Sequence, residues 1–309
     1  MEQGRRPGFS EALALWGLFL LDGVAILVTY SRLPAEELYH VSGSGLVGGA
    51  SRVLLLLGYP FGLVAIALAW MAAARIRRPL AAGGAVLATI LCATVGFPGV
   101  IDQDNLDATP INAVAGIGAL LALALTAWAL AEGGLGDSAP FQRADWARIA
   151  AATLVVFAAA PWIWAELGYY VSNAPVLGSV FIAEQIEPSL SSEPSLHAVH
   201  LGHHHGMDGA LLALSALVLT RVPSRMPRKG EGTALALYVS LMLVYGLANA
   251  LQDDWNEQLV KRGTLHDTLP SMIRPDLSPA WAGILLATAA IYLALFRVGR
   301  VNRSEGGIR

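Results

Sequence analysis

Long apolar stretches alternate with short polar segments along the whole chain. The apolar stretches cover residues 11–31, 50–74, 80–98, 111–131, 148–170, 207–222, 232–250 and 278–296. Several approach the ~20 residues that an α-helix needs to cross the hydrocarbon core of a bilayer. The runs at 53–57 and 120–125 lack the period of two that strands of a membrane barrel show. The pattern predicts an all-α, polytopic bundle of about eight transmembrane helices, forming a single integral membrane domain over 1–309.

The composition agrees with a membrane location. Of the 309 residues, 55% are hydrophobic and only 14% are charged, whereas soluble domains carry about a quarter charged residues. The net charge is −3, and the basic residues form no stripe that could follow a phosphate backbone. Nucleic acid is therefore excluded as a partner, and membrane lipids are expected to surround the chain.

Lysine and arginine are distributed unequally among the polar segments. Fifteen of the 20 lie in the N-terminal tail and in residues 75–79, 132–148, 221–231 and 297–309. The positive-inside rule places such segments in the cytoplasm. Both termini are therefore expected in the cytoplasm of a multi-pass protein of the cell membrane, which agrees with an even number of spans.

The polar segments on the opposite side of the predicted bundle contain the histidines and most of the carboxylates. All seven histidines fall in these segments or in helix ends that face them, so a functional site is expected on the extracytoplasmic side. The longest of these segments, 171–206, exceeds a plain turn. Its apolar stretch at 176–186 predicts an interfacial or re-entrant helix.

A histidine cluster precedes the sixth apolar stretch. If a helix begins near 194–195, four side chains fall within an arc of about 80° at ~100° per residue: His197, His200, His204 and Asp208. Imidazole and carboxylate groups at i, i+3 and i+4 can converge on one ion, and they suit a transition metal such as Zn, Fe or Cu. His203 and His266 are further candidate metal ligands.

The seventh span offers carboxylates on the same side of the membrane. Asn249, Asp253 and Glu257 recur at i, i+4 and i+8, and so share one helix face. Asp253 and Glu257 are therefore candidates for a general base beside the metal. Two more acids, Asp22 and Glu166, fall within or near the end of apolar stretches, where ionisable groups are usually functional.

These features favour an integral membrane metalloprotein. Its predicted activity is that of an enzyme that hydrolyses or oxidises a lipid or another membrane-resident substrate. A second interpretation is a transporter of metal ions or protons, with the histidines at its entrance and Asp22 and Glu166 further inward. A third is a non-catalytic subunit or assembly factor that binds other subunits of a membrane complex. A solvated helix end rich in histidine would also fit the pattern.

Overall fold

The computed structural model describes residues 10–34, 37–38, 43–97, 111–133, 139–187, 196–202 and 205–298. The α-helices in these ranges are α1 Ser10–Tyr30, α2 Gly45–Gly58, α3 Pro60–Ile76, α4 Pro79–Cys92, α5 Asn112–Gly133, α6 Arg143–Ala158, α7 Ala160–Glu166, α8 Leu177–Val180, α9 His205–Leu219, α10 Lys229–Asp253 and α11 Pro279–Tyr292. Helix α10 continues as a π-helix over Asp254–Val260, and α11 continues likewise over Leu293–Val298. Two strands of two residues, β1 Ile186–Glu187 and β2 Leu196–His197, pair antiparallel.

Six of the described helical segments are long and apolar enough to cross a membrane, and two bent pairs raise the number to eight if each pair is one span. The bends measure 47° between α2 and α3 and 64° between α6 and α7. This architecture agrees with the predicted multi-pass helical bundle. The placement of the termini in the cytoplasm stays a prediction.

Both bends coincide with a proline in the first turn of the second helix, Pro60 in α3 and Pro161 in α7. Proline lacks the N–H that would continue the helical hydrogen-bond ladder, and its ring clashes with the preceding turn. The chain therefore ends one helix and begins another at these points. The apolar stretches 50–74 and 148–170, each predicted as one continuous span, are therefore interrupted by a bend in the structure.

The bundle is built around α9. Of the apolar window of its span, 78% is buried, compared with 11% for α11, so α9 is central and α11 is peripheral. Helices α9 and α10 cross with their backbones in close contact at Gly209 and Gly246. A Cβ atom on either glycine would lie 2.6 Å from the carbonyl oxygen of the other. Small residues of this kind allow helices to approach closely in a membrane.

The segment before α9 differs from the prediction. The helix predicted over 176–186 is reduced to the four residues of α8, and extended chain leads from it to β1. Gly178 lies so close to Ser172 that a Cβ atom would meet the Ser172 carbonyl oxygen at 2.3 Å. The segment folds back on itself here, and a continuous interfacial helix does not form.

Candidate functional site

A buried ionic cluster joins three spans near one end of the bundle. Nη2 of Arg52 on α2 donates a hydrogen bond of 2.6 Å to Oε1 of Glu166, the last residue of α7. The same nitrogen lies 3.7 Å from Oδ1 of Asp208, in the first turn of α9. All three side chains are at most 3% exposed. Charged groups buried inside a membrane bundle are functional candidates by default.

Local structure explains how each side chain reaches the cluster. Ser51, Arg52 and Leu55 belong to the buried face of α2, so Arg52 points into the bundle. The break before Pro161 turns α7 away from the axis of α6 and leaves Glu166 buried. Asp208 lies in the first turn of α9, where the positive end of the helix dipole favours a carboxylate.

The cluster contains more acid than base. Asp22 on α1 interacts electrostatically with both Glu166 and Asp208. Arg52 therefore contacts two carboxylates, and Asp22 adds a third acidic group at longer range. Several buried polar atoms of the cluster form no hydrogen bond with the part of the chain that the structure describes: Arg52 Nε and Nη1, Glu166 Oε2, Asp22 Oδ2 and Ser51 Oγ. Such unused donors and acceptors are the chemistry that binds a small ion, a proton or water.

A second acidic group lies beside the start of α9. The Gly206 N–H donates a hydrogen bond of 2.6 Å to Oδ2 of Asp253, and Trp162 Nε1 donates one of 2.8 Å to Oε2 of Glu257. Asp253 and Glu257, the two carboxylates predicted as catalytic, thus lie beside the N-terminal end of α9, which we call the mouth of α9. Asp253 also interacts electrostatically with Asp208, which connects the two acidic groups.

The helix predicted to begin near 194–195 is wrong, because α9 begins at His205. The N–H groups of Ala198 and Val199 instead donate to the carbonyl oxygens of Gln185 and Ala183. Gly202 then takes a φ of +117°, and its N–H donates to the Tyr30 hydroxyl. His197 therefore lies in strand β2 and His200 lies in non-helical chain, and neither shares a helix face with Asp208.

The predicted metal ligands are not assembled in the described residues. His197 Nδ1 lies 2.6 Å from the Glu184 carbonyl oxygen, so this nitrogen donates and only Nε2 could bind a metal. His266 is exposed in the loop after the π-helix. Among the described residues, no three His, Cys, Asp or Glu side chains form a group that could hold a metal ion. His203 and His204 lie outside the described residues.

A second ionic network closes the other end of the bundle. Arg225 Nη2 lies 2.6 Å from Oε1 of Glu11, at the start of α1. Arg221 lies between Glu11 and Asp145, at 3.7 and 3.6 Å, and Arg148 is 2.7 Å from Asp145. The network ties α1, α6 and the segment after α9 together.

The chain matches no known family, no curated protein and no solved structure. Function therefore has to be argued from the residues of the site itself.

Polar residues between the two networks follow the inner faces of α1 and α9. Glu11 and Asp22 are eleven residues apart, which returns to the same face of a helix after three turns, about 16 Å along the axis. Asp208 and Ser215 share a face of α9 in the same way. Ser215 is fully buried, and its Oγ has no hydrogen bond within the described chain. These positions place polar groups on the inner faces of both helices.

The central member of the cluster, Arg52, is the residue that sequence reasoning missed. It is one of the five basic residues that lie outside the segments predicted to be cytoplasmic. Its position inside the apolar stretch 50–74 was the available signal, because a charged residue within a span rarely faces lipid. Its ion-pair partners, Glu166 and Asp208, lie more than 100 positions away in the sequence, so this pairing is not readable from local pattern.

Proposed function

We propose that this membrane protein transports protons, with the cluster of Asp22, Arg52, Glu166 and Asp208 as its proton-binding site. The observation that carries the proposal is the sharing of one buried guanidinium between Glu166 and Asp208, with Asp22 in electrostatic range. Transport of protons or metal ions is one of the functions that the sequence suggests.

The charge balance of the cluster supports proton uptake. One guanidinium cannot neutralise three carboxylates, and an uncompensated charge in a low-dielectric interior is costly. A proton on Asp208 leaves Arg52 paired with Glu166 alone. Loss of that proton returns Arg52 to a position between two carboxylates. Each step adds or removes one proton at a carboxylate oxygen, and no other bond changes.

The acids at the mouth of α9 supply a route of entry. Asp253 accepts a hydrogen bond from Gly206, at the start of the helix that carries Asp208. In our proposal, Asp253 and Glu257 collect protons from the predicted outer side and pass them to Asp208. The network of Glu11 and Arg225 closes the opposite end, and separation of this pair opens the exit, as in alternating access.

Proton flux into liposomes tests the proposal. The full chain is reconstituted with a pH-sensitive dye inside, and a pH gradient is imposed with valinomycin and K⁺ to compensate charge. We expect faster acidification than in empty vesicles, and Asp208→Asn should reduce it to the rate of empty vesicles. Asp267→Asn, an exposed acid in the loop after the π-helix, is the matched control and should keep the flux. Equal rates for the wild-type protein and empty vesicles would reject proton transport.

The second candidate is a metal-dependent enzyme at the same mouth, acting on a lipid or another membrane-resident substrate. Its specific support is the position of Asp253 and Glu257 beside the start of α9, directly after the histidine segment. The metal would be Zn, Fe or Cu, bound by histidines of the set predicted from the sequence, among them His200 and His204. Metal analysis of purified wild-type protein and of His200→Ala and His204→Ala is the test. Equal, substoichiometric metal in all three proteins would eliminate this candidate.

A further inference from the structure

A groove of about 910 Å³ lies at the end of the bundle that carries most arginines, between the end of α3, the start of α4 and the start of α10. Ile66, Ala67, Trp70 and Leu235 form an apolar wall. From Ile66 to the end of α3 the wall rises about 15 Å, at 1.5 Å per residue. The groove therefore has the length of a substantial part of an acyl chain and lies within membrane-spanning helices.

The polar end of the groove is positively charged. Arg77, Arg78 and Arg228 line it together with a single acid, Glu231. Arg228 is 82% exposed and only 3.4 Å from Glu231, which is a weak pair. Arg78 is paired with Glu132 at 2.8 Å. Arg77 is exposed and forms no ion pair with a described residue. Arg77 and Arg228 are thus available to an anion.

Two helix starts add partial positive charge to this end of the groove, against the partial negative charge that the end of α3 contributes. Helix α4 begins at Pro79, directly after Arg78, and α10 begins at Lys229, directly after Arg228. The first turn of a helix carries a partial positive charge and attracts anions. The groove thus combines an apolar wall inside the membrane with a cationic end, at the side that the positive-inside rule assigns to the cytoplasm.

We propose that this groove binds an anionic phospholipid. Its headgroup phosphate would contact Arg77 and Arg228, and an acyl chain would lie along Ile66, Trp70 and Leu235. Basic pockets between transmembrane helices on the cytoplasmic side are suited to anionic lipid headgroups. A free phosphate ion would use only the cationic end, and a neutral lipid only the wall. The combination selects a lipid with a negative charge.

Native mass spectrometry of the full-length protein tests the site by titration with phosphatidylglycerol, phosphatidylcholine and inorganic phosphate. We expect one phosphatidylglycerol molecule to be retained at concentrations where phosphatidylcholine and phosphate are not. Arg77→Gln should weaken retention about fivefold, the contribution of one arginine near an anionic lipid surface. Arg32→Gln is the matched control, because Arg32 is exposed just after the end of α1 and does not line the groove. It should leave lipid retention unchanged.

A steric variant distinguishes a lipid from a bare anion. Ala234 is exposed and lines the groove, so Ala234→Trp fills the apolar part and leaves the arginines in place. Loss of phosphatidylglycerol with Ala234→Trp supports the proposal. Three results would overturn it: equal retention of the two lipids, phosphate binding that matches phosphatidylglycerol, or unchanged retention in both Arg77→Gln and Ala234→Trp.

Discussion

Arg52 and Glu166 form a hydrogen-bonded ion pair of 2.6 Å although 114 positions separate them in the sequence. Each residue belongs to one of the two bent helix pairs, and each side chain is at most 3% exposed. The pair therefore connects two separate parts of the bundle through its interior. Its loss should therefore affect the stability of the whole fold.

Replacement of Arg52 by Gln should destabilise the protein by about 3–5 kcal/mol, because it leaves Glu166 and Asp208 buried without their cation. Thermal unfolding in detergent measures the effect. Arg32→Gln, which removes an exposed arginine, should leave the midpoint unchanged. The double variant Arg52→Met with Glu166→Leu should recover part of the loss, since it removes both charges. Equal midpoints for Arg52→Gln and Arg32→Gln would contradict the structure.

The close crossing of α9 and α10 predicts that a methyl group added at Gly209 lowers the free energy of unfolding. Gly209→Ala places a Cβ atom 2.6 Å from the Gly246 carbonyl oxygen, and the resulting displacement should cost about 1–3 kcal/mol. Gly17→Ala is the matched control in α1, where nothing lies within 4 Å of the new atom. It should be neutral or stabilising by up to about 1 kcal/mol. Only the unfolding midpoint of Gly209→Ala should therefore fall, and a loss in Gly17→Ala as large as in Gly209→Ala would count against close packing.

Trp162 should stabilise the folded protein through the hydrogen bond of its ring nitrogen as well as through the packing of its side chain. Trp162→Phe removes the N–H that bonds to Glu257 and should cost about 1.5–3 kcal/mol, the range for hydrogen bonds to charged groups. Trp146→Phe, at a position that is 67% exposed, should cost much less in the same unfolding measurement. If both variants unfold at the wild-type temperature, the Trp162 to Glu257 bond does not stabilise the protein.

The predicted orientation can be tested with single cysteines. Cys92 is the only cysteine and is buried, so Cys92→Ala provides a background that a maleimide cannot label. Ser304→Cys, in the C-terminal tail, should react with a membrane-impermeant maleimide only after the cells are permeabilised. Ser271→Cys, an exposed position between α10 and α11, should react in intact cells. The reverse labelling pattern would show that the orientation is opposite to the predicted one.

The spans were predictable because hydropathy reports them directly. The first was predicted at 11–31 and is Ser10–Tyr30, and the last was predicted from 278 and begins at Pro279. The breaks at Pro60 and Pro161 were not predicted, since they alter backbone hydrogen bonding without interrupting the apolar run.

The candidate site was predictable only in part. The spacing of Asp253 and Glu257 placed them on one face, and the structure locates both at the mouth of α9. The start of α9 was misplaced, because the N–H groups of 198 and 199 bond to a segment earlier in the chain. Helix periodicity cannot detect such competition. The cluster around Arg52 depends on three distant spans, so local pattern could not reveal it.

The ion pair of Arg52 and Glu166 connects the two bent helix pairs. Arg52 lies before the 47° bend of one broken span, and Glu166 lies after the 64° bend of the other. A change in either angle must alter the separation of guanidinium and carboxylate. Conversely, any ion or proton that weakens their attraction releases a constraint on both angles. A change of bend angle that draws Arg52 away from Glu166 would have to break this 2.6 Å pair, so the pair resists straightening or further bending of both helix pairs.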